Sequence, residues 1–170
     1  MWRRGGVLWL DLGGGFGFAY GHPGDVPLAD HYVLPPMDDF ARRCGFFENA
    51  LIDLLASYQP SMVGVEAYMA AKRQKSEAAA LSALSLYTLT ATACWRASIR
   101  CLPRAAATVR TQVIGRCHMT DEERAAGLDV KDAIVRPWVE AQGWNIPNHN
   151  ARDAAVGWAF DTGIRARKTK

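Results

Sequence analysis

Val7-Leu8-Trp9-Leu10-Asp11-Leu12 is a mostly apolar run stopped by Gly13-Gly14-Gly15, the pattern of a central strand that ends in a tight turn. Residues 16–20 read as a second strand. Residues 31–34, bounded by Pro27 before and Pro35-Pro36 after, read as a third, and three strands this close in sequence predict an antiparallel meander. From Met37 the apolar period lengthens. Phe40, Phe47, Leu51, Leu54 and Leu55 recur at helical spacing until Gln59-Pro60, which predicts an amphipathic helix over 38–58. Residues 61–66 return to a short apolar strand that ends in an acid, Glu66.

After the basic stretch Lys72-Arg73-Gln74-Lys75, a long helix begins near Ser76, with Glu77 beside the positive end of its dipole. A fifth strand is predicted at 99–102. Helices follow at 105–114, at 130–142 with a kink at Pro137, and at 150–165. The order is three strands, helix, strand, helix, strand, helices. Strands separated by a helix tend to pair in parallel, so the fold class is α/β, and this order is that of the ribonuclease H fold: a five-stranded mixed sheet flanked by helices. No repeat or linker divides residues 1–170, so a single domain is expected.

Composition supports one packed core. The 170 residues are 49% hydrophobic and 22% charged, which excludes disorder for the bulk of the chain. Twenty basic residues against 17 acidic ones leave a net charge of +3, too even to argue by itself for a nucleic-acid, membrane or acidic partner. Cys44, Cys94, Cys101 and Cys117 form neither a C-x-x-C pair nor a secreted disulfide framework, so reduced thiols and a cytoplasmic location are expected. The basic start is followed by an apolar run broken at Asp11, before signal-peptide length. Residues 78–95 lack charge but carry Ser82, Ser85, Thr88, Thr90 and Thr92, which reads as a buried helix rather than a membrane span.

Three acids stand where a core would prefer none. Asp11 lies inside an apolar strand, Glu66 ends another, and Asp153 falls in the first turn of the last predicted helix, beside Ala154, Ala155 and Val156. An unpaired carboxylate in such a place costs several kcal/mol or takes up a proton. If the three converge, two like charges about 4 Å apart repel by roughly 4 kcal/mol at an effective dielectric near 20. A divalent cation reverses that sign. Oxygen-only donors with no Cys or His cluster favour Mg²⁺ or Mn²⁺ over zinc, and such a site suits phosphodiester hydrolysis. Any one of these acids alone reads better as a helix cap or an arginine partner; three in this order favour a site.

Asp11-Leu12-Gly13 with Gly17-Phe18-Ala19, then Val65-Glu66-Ala67-Tyr68, then Asn150-Ala151-Arg152-Asp153-Ala154-Ala155 resemble the successive active-site segments of the RuvC family of Holliday junction resolvases. The stretch from Val109 through Arg110 to Gly115 resembles the family's basic segment, and Lys131-Asp132-Ala133-Ile134 its later lysine-led helix. The resemblance spans nearly the whole chain. It implies a homodimeric, Mg²⁺-dependent endonuclease, with Mn²⁺ able to substitute, that makes paired nicks across a four-way DNA junction. Asp11, Glu66 and Asp153 would then be catalytic, metal-binding carboxylates, with Asp11 bridging two ions. The family's usual acid three residues before the last one is Asn150 here, whose amide oxygen could still face a metal; Asp132 is either its substitute or a solvated surface acid.

The resemblance further implies Lys131 near the scissile phosphate, Arg110 on the adjacent backbone, and Tyr68 stacking on a base at the junction centre, with Met69 an alternative wedge; Lys72, Arg73 and Lys75 are expected at the rim of the site from their position just after Glu66. Each has a plainer reading: a helix-surface cation for Arg110 and Lys131, a solvated charge run for the loop, a packing residue for Tyr68. Trp95, Trp138, Trp144 and Trp158 read as core or dimer contacts. Three other functions compete. One is a less selective nuclease for branched DNA, flaps or hybrids, another is a catalytically weak junction-binding protein, and the third takes Asp-Leu-Gly-Gly-Gly as a kinase phosphate loop, for whose two domains this chain is too short.

Overall fold

The computed structural model describes residues 5–13, 15–67 and 76–165. Its sheet has the strand order β3-β2-β1-β4-β5: β1 (Val7–Leu12), β2 (Phe16–Gly21) and β3 (Leu28–Tyr32) form the antiparallel meander, while β4 (Met62–Glu66) and β5 (Arg100–Arg104) join β1 in parallel. The helices are α1 (Phe40–Tyr58), α2 (Glu77–Arg96), α3 (Ala106–Val113), α4 (Asp121–Ala125), α5 (Arg136–Ala141) and α6 (His149–Asp161). This is the mixed, helix-flanked five-stranded sheet expected from the element order.

Both faces of β1 are covered, which is why it reads as a nearly unbroken apolar run. Leu8 and Leu10 join Phe47, Leu51, Leu54 and Leu86 in the core beneath α1 and α2. Val7 and Trp9 face the opposite core, built from Val109, Val139, Ala154, Ala155 and Trp158. The alternation in β2 is one of size. Phe16, Phe18 and Tyr20 point to α1, whereas the intervening Gly17, Ala19 and Gly21 leave a shallow track on which α6 lies. Trp158 is fully buried there and its indole Nε1 donates to the carbonyl oxygen of Gly21 at 3.2 Å. The Trp9 indole is clamped between β4 and α6, since a Cβ on Gly157 would lie 1.9 Å from it and one on Gly64 2.1 Å.

Several boundaries move for identifiable reasons. The third strand occupies Leu28–Tyr32 rather than 31–34, because its register with β2 runs from Tyr20↔Leu28 to Phe16↔Tyr32 and leaves Val33 exposed. Helix α1 starts at Phe40, where the Asp39 carboxylate accepts from the Arg42 amide at 3.1 Å; residues Met37–Asp39 form a 3-10 turn. Ser76 caps α2 in the same way, and Glu77 sits in its first turn as expected. The last helix begins at His149, capped by Asn148, so Asp153 stands one residue further in than the sequence implies. The fifth strand extends to Arg104.

The predicted 130–142 helix is two segments, a π-type stretch at Lys131–Val135 running into α5. Pro137 has no N–H to give the carbonyl four residues back. That carbonyl, on Ala133, instead accepts from Arg116 Nη2 at 3.0 Å. Arg116 is in turn held by Glu123 of α4, a helix the sequence reading overlooked although Thr120 and Glu123 spell a capping box.

Helix α2 is the one described helix long and apolar enough to cross a membrane. It buries Ala80, Ser82, Leu86, Thr90 and Cys94 on the sheet side and leaves Leu81, Leu84 and Trp95 exposed, the last by 80%. Trp95 is therefore not a core residue, whereas Trp138, Trp144 and Trp158 stack edge to face, with centroids 5.5 and 5.9 Å apart.

Two glycine substitutions should move stability in opposite directions in urea unfolding. Gly157→Ala forces a methyl into the Trp9 ring and is expected to cost about 1–3 kcal/mol. Gly45→Ala, within α1 and with nothing in reach of the added methyl, is expected to gain about 0.5–1 kcal/mol.

Candidate active site

Asp11 lies near the end of β1 and Glu66 ends the neighbouring parallel strand; the pairing Leu10↔Val65 puts the next residues, Asp11 and Glu66, side by side. Both follow the alternation that faces α6. That helix reaches the strands because Gly17 lacks a side chain: a Cβ there would lie 2.1 Å from the Asn150 carbonyl oxygen. One turn into α6, Asp153 enters the same pocket. The pocket measures about 20 Å³ and is lined by Trp9, Asp11, Glu66, Ala106, Val109, Arg110, Asp153 and Val156.

The three acids are not left to repel one another alone. Lys131, at the start of the π-type stretch, places Nζ 2.6 Å from Asp153 Oδ2, 3.7 Å from Asp11 Oδ2 and 3.2 Å from Asn150 Oδ1. Arg110 of α3 donates through Nη2 to Asp153 Oδ1 at 3.4 Å. Asp11 is 5% exposed. Burial first, and then the charges of Asp153 and Glu66, push its carboxyl well above the ordinary carboxylate range, with Lys131 pulling only partly the other way. Burial pulls the Lys131 ammonium down, but Asp11 and Asp153 together outweigh it and leave that pKa raised.

Six of the predicted residues thus meet in one place: Asp11, Glu66, Asp153, Lys131, Asn150 and Arg110. Tyr68, Met69, Lys72, Arg73 and Lys75 lie outside the described residues. Asp132 is exposed and sits near Arg136, which makes it a surface acid rather than a stand-in for the missing carboxylate. His149 is exposed at the first position of α6.

The same architecture is seen in solved structures. Thermus thermophilus RuvC in complex with a Holliday junction substrate aligns with a TM-score of 0.67 at 17% identity, over 94% of each chain. A further Thermus thermophilus RuvC structure gives 0.62 at 18% identity, over 94% of this chain and 98% of that one. The yeast mitochondrial Holliday junction resolvase Ydc2 gives 0.59 at 12% identity, over 96% and 81%. The chain has the RuvC fold. No protein-family model and no curated protein matches it.

On that fold, the donors present suit a hard cation. Asp11 Oδ2 is buried and accepts no hydrogen bond, and every acid in the pocket offers oxygen. Among the described residues no three His, Cys, Asp or Glu side chains form a ready-made set of ligands, and Lys131 contacts both Asp11 and Asp153.

Two contributors escaped the sequence reading. Arg43 of α1 is 5% exposed; it donates to the Pro35 carbonyl at 2.6 Å, to Ser82 Oγ of α2 at 3.1 Å and to the Gly13 carbonyl at 3.5 Å, tying down the turn that follows Asp11. A signal existed, since Arg43 stands four residues before Phe47 on the apolar stripe. The second is Arg104, whose Nε and Nη2 reach Asp161 Oδ1 at 3.1 and 3.0 Å and fasten the far end of α6 to β5.

The folded protein holds the Asp11 proton more tightly than the unfolded chain does. The stability this gives is complete below the ordinary carboxylate range and declines as pH rises through and beyond it. In chelator-treated protein, Asp11→Asn is therefore expected to raise the thermal midpoint by about 2–4 °C near neutral pH, equivalent to about 1 kcal/mol in a chain of this size. Calorimetry should find the difference shrinking as pH falls towards about 4.

Proposed function

We propose that this chain is a structure-selective DNA endonuclease that resolves four-way junctions by paired, metal-dependent phosphodiester hydrolysis. The observation that carries the reading is the shared pocket of Asp11, Glu66 and Asp153, three acids far apart in sequence, flanked by the cations Lys131 and Arg110. The likeness to RuvC, one of whose structures holds a Holliday junction substrate, supports the choice of branched DNA.

Asp11, Glu66 and Asp153 are the residues that would hold Mg²⁺, or Mn²⁺ in its place. When bound, such an ion supplies Lewis-acid activation of the attacking water and neutralises charge at the phosphate. Lys131 places an ammonium where negative charge accumulates as phosphorus is attacked. Arg110 holds Asp153 in line and presents its remaining guanidinium donors to the DNA backbone. Tyr68, Lys72, Arg73 and Lys75 follow Glu66 directly in the chain and are assigned to base stacking and phosphate contact at the junction centre.

Paired nicks need two sites, and a homodimer supplies them. Leu81, Leu84 and Trp95, exposed on one face of α2, give an apolar surface suited to that contact. Reduced cysteines fit a cytoplasmic setting; all four are free.

Purified protein with Mg²⁺ or Mn²⁺ should nick a synthetic four-way junction symmetrically, as read by strand mapping. Asp11→Asn and Glu66→Gln should each lower cleavage at least about a hundredfold while junction binding persists. Equal cutting of linear duplex and junction would replace junction selectivity with a broader nuclease. Binding without cleavage in either metal would make the chain a junction-binding protein.

A further inference from the structure

The two cations of the site are not equivalent. Arg110 lines the small pocket, while Lys131 lies outside that lining, in contact with both Asp11 and Asp153. Its ammonium has three oxygens within 3.7 Å, one each from Asp153, Asp11 and Asn150. That is the environment of a bound cation, already filled by a side chain.

We propose that the site takes one divalent cation rather than two, with the Lys131 ammonium, fixed by Asn150, standing where a second ion would otherwise lie. The inference rests on the metal-dependent reading above and concerns how many ions it requires. Three independent features support it. The first is position: the three acids line one small pocket of about 20 Å³, and Lys131, not a further acid, stands beside it against Asp11 and Asp153. The second is charge. Even with all three carboxylates ionised, Lys131 and Arg110 leave only one net negative charge, which a single divalent ion already over-compensates, and two divalent ions repel four times as strongly as two unit charges at the same separation.

The third is donors. Asn150 is neutral, its Oδ1 is engaged by Lys131, and its backbone is fixed by the hydrogen bond its N–H donates to Asn148 Oδ1 at 2.8 Å and by contact with Gly17. It is thus a positioning residue for Lys131 rather than a metal ligand. Lys131 is itself held from the main chain, because Asp129 accepts from the Asp132 amide through Oδ1 at 2.9 Å and from the Ala133 amide through its carbonyl at 2.9 Å. One ion and one ammonium would then flank the scissile phosphate.

The test is a count of bound ions in the absence of DNA. Free Mn²⁺ is followed by its electron paramagnetic resonance signal during titration of the wild-type protein, Asn150→Asp and Lys131→Met. The expected result is saturation at one Mn²⁺ per wild-type chain and at two in at least one variant, with the magnetic broadening of a coupled Mn²⁺ pair. Two ions in the wild type would overturn the proposal and leave the nuclease reading intact. One ion in all three proteins would also overturn it, because Lys131 and Asn150 would then not control the number. No binding to any of them would remove both this inference and the metal-dependent reading.

Discussion

The mutual repulsion of three clustered carboxylates, Asp11 buried and Glu66 and Asp153 half-buried, is the constraint on which the rest of this structure depends. Asp11, Glu66 and Asp153 line one small pocket, and burial together with the neighbouring acids pushes the Asp11 carboxyl well above the ordinary range. The fold answers with two cations from different elements, Lys131 from the π-type stretch and Arg110 from α3. A purely structural core gains nothing from such an arrangement, since apolar residues of the same volume would fill the space at lower cost. A site with the proposed task of attracting a hard cation and a phosphate would gain both.

Bringing the three acids together is a packing problem solved with small residues. Gly17, Ala19 and Gly21 lower one face of β2, and Gly157 lets α6 settle onto the Trp9 ring. The far end of the helix is fastened by Arg104 and Asp161, and the near end by the Asn148 cap. Arg43 fixes the glycine turn after Asp11 from the opposite face of the sheet. Each of these contacts is remote from the pocket, yet together they set the spacing of the carboxylates, on which the proposed metal binding and reactivity would depend at the level of an ångström.

Asn150 and Lys131 give the site its individual character. The amide takes no part in charge balance but holds the ammonium, and the π-type stretch places that ammonium between two acids. Unusual helical winding is common where a side chain must be aimed rather than merely buried. Here it coincides with Pro137, whose missing N–H leaves the Ala133 carbonyl to Arg116 and so links the lysine-bearing segment to α4.

What the sequence determined by itself was periodicity, and with it the number, type and order of the main elements. The apolar runs at β1 and β4, the helical spacing of α1 and the glycine turn are all local signals, and element order then dictates a mixed sheet. The acids were legible too, because Asp11 and Glu66 interrupt apolar strands where solvation is lost. The start of α6, the register of β3 and the π-type winding were not legible, since each depends on partners distant in the chain: Asn148 against α6, β2 against β3, Arg116 against Ala133. Whether Asp11, Glu66, Asp153, Lys131 and Asn150 share one pocket was likewise decided only by tertiary structure, because interactions between charges depend on separation in space, and sequence encodes that separation only through the packing of everything between them.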